Sequence, residues 1–172
     1  MAALSLRLTK RAGEEYILTC VRPDGTVARQ HYRGATARFF PRHDLAHYAV
    51  ETELALARGF YGMVASGWSL GDFGAPWPRG PMPEDMDPVE QIVGLLDRET
   101  GRQAPFRADD FKSMLAKYAA EHPLARRVPE LTNARLDKIR AQIEELYARW
   151  RALPVDATME LAFALVPSGE LC

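Results

Sequence analysis

His43-Asp44-Leu45-Ala46-His47, followed by Glu51, is the one run in this chain whose residue types and spacing could do chemistry. The chain has four histidines, and three of them (His31, His43 and His47) fall within seventeen residues. On a helix each residue turns by about 100°, so His43, His47 and Glu51 climb one side, each offset by about 40° from the last. Imidazoles at i and i+4 can close on one divalent ion, and a carboxylate one turn further on can supply a third ligand. Zinc, manganese and iron accept this ligand set, and spacing does not choose among them. The expected metal ligands are therefore His43, His47 and Glu51, with the strand bearing His31 as the other source of a third ligand. Asp44, between the two histidines, is the expected catalytic base.

The run is similar to the His-Glu-x-x-His helix of zinc-dependent hydrolases, in which the glutamate is the general base. Here the second residue is Asp44, one methylene shorter. The same run resembles the His-Asp pair of the HD-domain phosphohydrolases, an all-helical family with a further ligand histidine on an earlier helix. In this chain the preceding histidine, His31, falls in a strand-like stretch, so the resemblance covers five residues.

A purely structural reading stands beside the catalytic one. Asp44 in a helix's first turn would complement the partial charge there. His47 and Glu51 at i, i+4 would form a surface pair worth roughly 0.2–0.5 kcal/mol. The protein would then be a non-catalytic interaction or structural domain. Glu53 projects from the middle of an apolar arc (Leu45, Ala46, Ala49, Val50, Leu54), and a carboxylate there needs a partner or keeps its proton. Arg33, Arg38, Arg42 or a helix end could provide that partner.

The elements that must hold this run are legible in outline. Leu4, Leu6 and Leu8 alternate with polar residues, Tyr16–Val21 is rich in strand formers, and Pro23-Asp24-Gly25 marks a turn, so residues 3–33 read as a three-stranded meander. Residues 42–58 carry no Gly or Pro and follow Pro41, which suits a helix's first turn. From Gly71 to Pro88 five prolines and three glycines make a loop whose Phe73 and Trp77 are expected to pin it to the core. Three more helices follow, over 88–100, 109–121 and 132–153. The last carries Leu136, Ile139, Ile143, Leu146, Trp150 and Leu153 at spacings of 3 and 4. That stripe should pack on the sheet, and a homodimer contact through the helix spanning 132–153 stays open. Residues 158–166 alternate again, and the meander is the only sheet available to them. The fold class that follows is α+β over a single domain of residues 1–172: a small antiparallel sheet, the N-terminal meander plus a C-terminal strand, covered by about five helices.

Composition narrows the function classes. The 172 residues are 47% hydrophobic and 26% charged, which is a globular balance. With 22 basic against 23 acidic residues the net charge of -1 draws the chain toward neither nucleic acid nor anionic lipid. Two cysteines, Cys20 and the terminal Cys172, make no disulfide framework and no Cys-x-x-Cys pair. No stretch is apolar enough to span a membrane, and no secretory leader is seen, so the reading is cytoplasmic. The sharpest functional expectation is a divalent-metal-dependent, hydrolytic enzyme; no substrate class follows from sequence.

Overall fold

The two ends of the chain build one sheet. In the computed structural model, which describes residues 2–165, strands β1 (Ala3–Arg11), β2 (Glu15–Val21) and β3 (Val27–Arg33) form the meander. Strand β4 (Thr158–Ala164) pairs antiparallel with β1, giving the order β3-β2-β1-β4. Register follows the two-residue alternation. Leu8 lies between Leu18 and Met159, and Leu4 opposite Phe163, all buried on one face. The other face is polar, with Arg7 3.0 Å from Glu160 and the Thr9 and Thr158 hydroxyls 2.8 Å apart. Cys20 is buried in β2, whereas Cys172 lies outside the described residues.

Five α-helices accompany the sheet among the described residues: α1 (Ala35–Leu54), α2 (Phe60–Ala65) and α5 (Asn133–Ala152) contribute to the core against its apolar face, and α3 (Val89–Arg98) and α4 (Ala108–Glu121) join a second core. Helix α1 is central because it is apolar on two sides. Leu45 joins the cluster against the sheet, with Leu6, Leu18 and Trp150. Ala46, Ala49, Val50 and Leu54 join a second cluster with Ile92, Val93 and Leu96 of α3 and Ile139 and Ile143 of α5. The α5 stripe is thus buried within the chain from Leu136 to Trp150, but only Leu146 and Trp150 pack on the sheet as expected; Leu136, Ile139 and Ile143 pack on α1 and α3 instead. Among the described residues, no helix is long and apolar enough to cross a membrane.

Helix α1 starts seven residues earlier than Pro41 suggests. Pro41 lies inside it and is buried. The aromatic ring of Phe40, in the turn ahead of that proline, stacks on Tyr32 at 4.2 Å, and this tertiary packing outweighs the proline's preference for a first turn. Asp44 is consequently in mid-helix, not at the N-terminal partial charge. Glu53 is also placed differently from expectation. It faces α5, 3.2 Å from Lys138 and 3.5 Å from Arg135, rather than Arg33, Arg38 or Arg42.

At its other end α1 closes on Ala55, which takes the left-handed conformation (φ 51°) and is exposed. A side chain pays steric strain there that glycine avoids. Ala55→Gly is therefore expected to raise stability by about 0.5–1 kcal/mol, read from the midpoint of chemical unfolding. An unchanged or lower midpoint would contradict this reading of the helix end.

Candidate metal centre

Helix α1 and helix α3 meet at the mouth of a cleft of about 530 Å³, and the histidines of α1 form its floor. The imidazole Nε2 atoms of His43 and His47 lie 3.2 Å apart. From α3, a carboxylate oxygen of Glu90 comes within 3.3 Å of the His47 Nε2. His43, His47 and Glu90 thereby bring three ligand atoms within 4.8 Å of one another, so this group could hold a metal ion. Two of the separations, 3.2 and 3.3 Å, suit one. Ligand atoms about 2.0–2.1 Å from a tetrahedral ion stand roughly 3.3 Å from each other.

Both rings are fixed from behind. His43 Nδ1 is 2.7 Å from Asp97 Oδ2, and Asp97 is further held by Arg42 at 3.4 Å. His47 Nδ1 is 3.3 Å from Glu51 Oε1. With Nδ1–H donating to a carboxylate, each ring presents the Nε2 lone pair to the common point, which is the usual way a protein orients a metal-binding histidine.

Glu51, expected as the third ligand, lies on the far side of His47 from His43. It is fully buried, and its carboxylate accepts hydrogen bonds from the backbone N–H groups of Tyr61 (2.9 Å) and Gly62 (3.3 Å). Those are donors that the start of α2 leaves without an intrahelical partner. Gly59 is required for this approach, since a Cβ there would stand 2.6 Å from the Glu51 carboxyl carbon. The His47–Glu51 pair is therefore an interior contact, with His47 only 1% exposed, and not the surface pair of the structural reading.

His31 lies on the sheet's polar face, 2.9 Å from Glu15. Its neighbours Gln30 and Tyr32 are the β3 residues that line the cleft. Neither His31 nor Glu51 is in the group of His43, His47 and Glu90 that could hold a metal ion. Glu90 and Asp97 are the members of this candidate cluster that spacing along α1 could not find. They stand seven apart, two helical turns, on an α3 otherwise apolar on its buried side. A pair of acids in register with an i, i+4 histidine pair was the available signal.

Asp44, the expected base, also lines the cleft. It is buried, and the Tyr16 hydroxyl donates to its Oδ2 at 2.8 Å. Burial pushes its carboxyl up to about 6, against the lowering influence of His43 and of the Tyr16 hydrogen bond. Burial alone would depress the His47 imidazole, but Glu90 and Glu51 outweigh it and raise it to about 10. Desolvation acts to raise Glu90, and the facing His47 and His43 outweigh it, drawing the carboxyl below its usual range. Burial raises Glu51, opposed by His47 and the two backbone donors. The cluster without metal thus holds a proton among acids, and a divalent ion would replace that proton.

The Asp44 position has a consequence for stability. A carboxyl raised in the folded state binds its proton more tightly there, so its contribution is most favourable below about pH 4 and is lost as pH rises through 6. Asp44→Asn removes this dependence. The stability difference between variant and wild type should shift in the variant's favour by about 3 kcal/mol between pH 4 and pH 8, measured by denaturant unfolding at each pH. A difference that stays flat across that range would show Asp44 titrating as an ordinary carboxylate.

A larger groove, about 830 Å³, runs beside α4 and contains none of these groups. Comparison with protein-family models, curated proteins and solved structures returned no match.

Proposed function

We propose that this protein is a divalent-metal-dependent hydrolytic enzyme, with His43, His47 and Glu90 as the metal ligands and Asp44 as the acid–base group. One observation carries the reading: two imidazoles with Nδ1 fixed on the carboxylates of Asp97 and Glu51 turn both Nε2 atoms to one point, where Glu90 completes three ligands. Three protein ligands leave a coordination position for water or substrate, as in catalytic rather than structural zinc sites. A metal so held supplies a Lewis acid and an activated water. Asp44 lines the same cleft, and its raised carboxyl suits proton transfer near neutral pH. Glu51 and Asp97 orient the histidines. Zinc fits the nitrogen-rich set best, and manganese and iron(II) also accept it.

A non-catalytic domain is the second reading, and one observation favours it. Among the described residues no buried side-chain nitrogen or oxygen lacks a partner, so the cluster is satisfied by hydrogen bonds alone. Metal retention separates the two. The protein, purified without an affinity tag or chelator, should hold close to one equivalent of metal, and equilibrium dialysis should restore it after stripping. Absence of histidine-dependent binding at micromolar zinc, manganese or iron(II) would leave the structural reading standing.

A further inference from the structure

We infer that the cleft above His43, His47 and Glu90 takes an uncharged aromatic substrate, a small aryl ester or amide, and excludes phosphorylated compounds. The inference rests on the metal-dependent hydrolase reading for the bond that is cleaved, and on the cleft walls alone for what is bound.

The walls carry charge of one sign besides the histidines. Asp44, Asp87 and Glu90 line the cleft, and among the described residues no lysine or arginine does. Sites for phosphate supply arginine forks, lysines or free backbone donors. Here the first turn of α3, which could otherwise attract an anion, presents Glu90. A bound dication would be largely offset by Glu90 and Asp44, leaving nothing to balance a phosphate dianion.

What the walls do offer is aromatic surface. Tyr32, Phe40, Phe60, Phe73, Trp77 and Tyr118 surround the cleft, and Met82 and Met86 complete its outer side. Gln30 and Gln91 provide neutral amides. Apolar walls with a few placed polar groups are the usual make-up of a small-molecule site.

Trp77 is the most informative of these residues. Phe73 packs on Phe60 at 4.7 Å and on Trp68 at 5.6 Å, and so anchors the loop as expected. Trp77 does not. It is 47% exposed, and its backbone is left-handed (φ 58°), a costly conformation for a bulky residue. The loop around it is held by other means: Trp77 N–H donates to Gly74 O, Gly80 N–H to Trp77 O, and Arg79 reaches Gly67 O while lying over the Trp68 ring. The indole therefore stands at the cleft's rim without being needed to hold the loop, placed to cover a flat ring. In the reaction, the oxygen of water bonds to the acyl carbon. The acyl–oxygen or acyl–nitrogen bond breaks, its electron pair leaves on the heteroatom, and the water's proton ends there, giving a carboxylic acid and an alcohol or amine.

Two probes with the same ring test the assignment: neutral 1-naphthylacetamide and dianionic 1-naphthyl phosphate, titrated by calorimetry into the full chain with and without zinc. The amide should bind more than about tenfold tighter than the phosphate in both forms. Trp77→Ala should weaken the amide by about fivefold while circular dichroism stays unchanged. Gln91→Lys should narrow the gap by strengthening the phosphate. Equal or tighter binding of the phosphate to wild type, or amide binding indifferent to Trp77, would overturn the inference. If the amide binds in a Trp77-dependent way to a chain that retains no metal, the ligand class stands and the hydrolase reading falls. If zinc is retained and the phosphate wins, the reverse holds.

Discussion

Glu90→Gln is expected to weaken zinc binding by about two orders of magnitude while leaving the chain folded. Structural zinc sites bind with roughly 10–16 kcal/mol over four ligands, so the loss of one ligand removes on the order of 3 kcal/mol. His43→Ala should have an effect of the same size. His47→Ala is the less clean test. His47 is 1% exposed and faces Glu51, so its removal strands a buried carboxylate, at a cost of about 3–5 kcal/mol. The imidazoles therefore differ: His43 is a candidate ligand at the cleft wall, and His47 is a candidate ligand and a core residue at once. The half-exposed Glu90 side chain packs little, so its variant isolates metal binding from folding. Proton competition gives a second signature. His47 without metal keeps its proton up to about pH 10, and zinc must displace it. Apparent affinity should rise with pH by about tenfold per unit between pH 6 and pH 9 for each proton displaced. Equilibrium dialysis against buffered zinc at several pH values measures both effects. Wild-type affinity for the Glu90 variant would remove this carboxylate from the ligand set, and pH-independent binding would remove His47.

The sheet was legible because its signal is local. Leu4, Leu6 and Leu8, and Met159, Leu161 and Phe163, alternate in register with burial, and a terminal strand needs a sheet to join. The α5 stripe was legible for the same reason, its spacing matching the buried face from Leu136 to Trp150, with Leu153 past the helix end and half-buried. What failed to show was whatever depends on a second element. Pro41 reads as a helix start unless one knows that Phe40 rests on Tyr32 of β3. Glu53 reads as buried until α5 arrives with Arg135 and Lys138. The candidate metal cluster divides along the same line. His43 and His47 are neighbours on one helix and could be paired from spacing, whereas Glu90 enters from α3 across 43 residues of sequence. Glu51 has the right offset for a ligand, yet the start of α2 folds back upon it and claims its oxygens. Spacing finds which side chains share a face; which partner occupies that face is decided by the fold.

Glu51 supplies the second large effect, because two substitutions there should come apart. Glu51→Ala leaves the Tyr61 and Gly62 N–H groups and His47 Nδ1 without their acceptor in a fully buried place. A buried charge pair broken on one side, with two orphaned backbone donors, costs about 3–5 kcal/mol. Metal loss in that variant would be uninformative. Glu51→Gln keeps the shape and one acceptor oxygen. That oxygen is expected to stay with the two backbone donors, which have no alternative, so the amide NH2 faces His47 Nδ1. An amide there donates where the carboxylate accepted. His47 must then accept at Nδ1 and carry its proton on Nε2, the atom that faces His43 and Glu90. Stability should fall by only about 1 kcal/mol, but zinc affinity should drop by about 10–100-fold, through a residue that would not itself bind the metal. Nitrogen-15 spectra of the imidazoles read the Nδ1 proton directly: Nδ1 protonated in wild-type His47, bare in Glu51→Gln with the proton on Nε2. If the variant binds zinc like wild type, Glu51 caps α2 and does nothing for the metal centre. If it unfolds as readily as Glu51→Ala, the charge itself holds this corner together, and the His47–Glu51 pair is structural first.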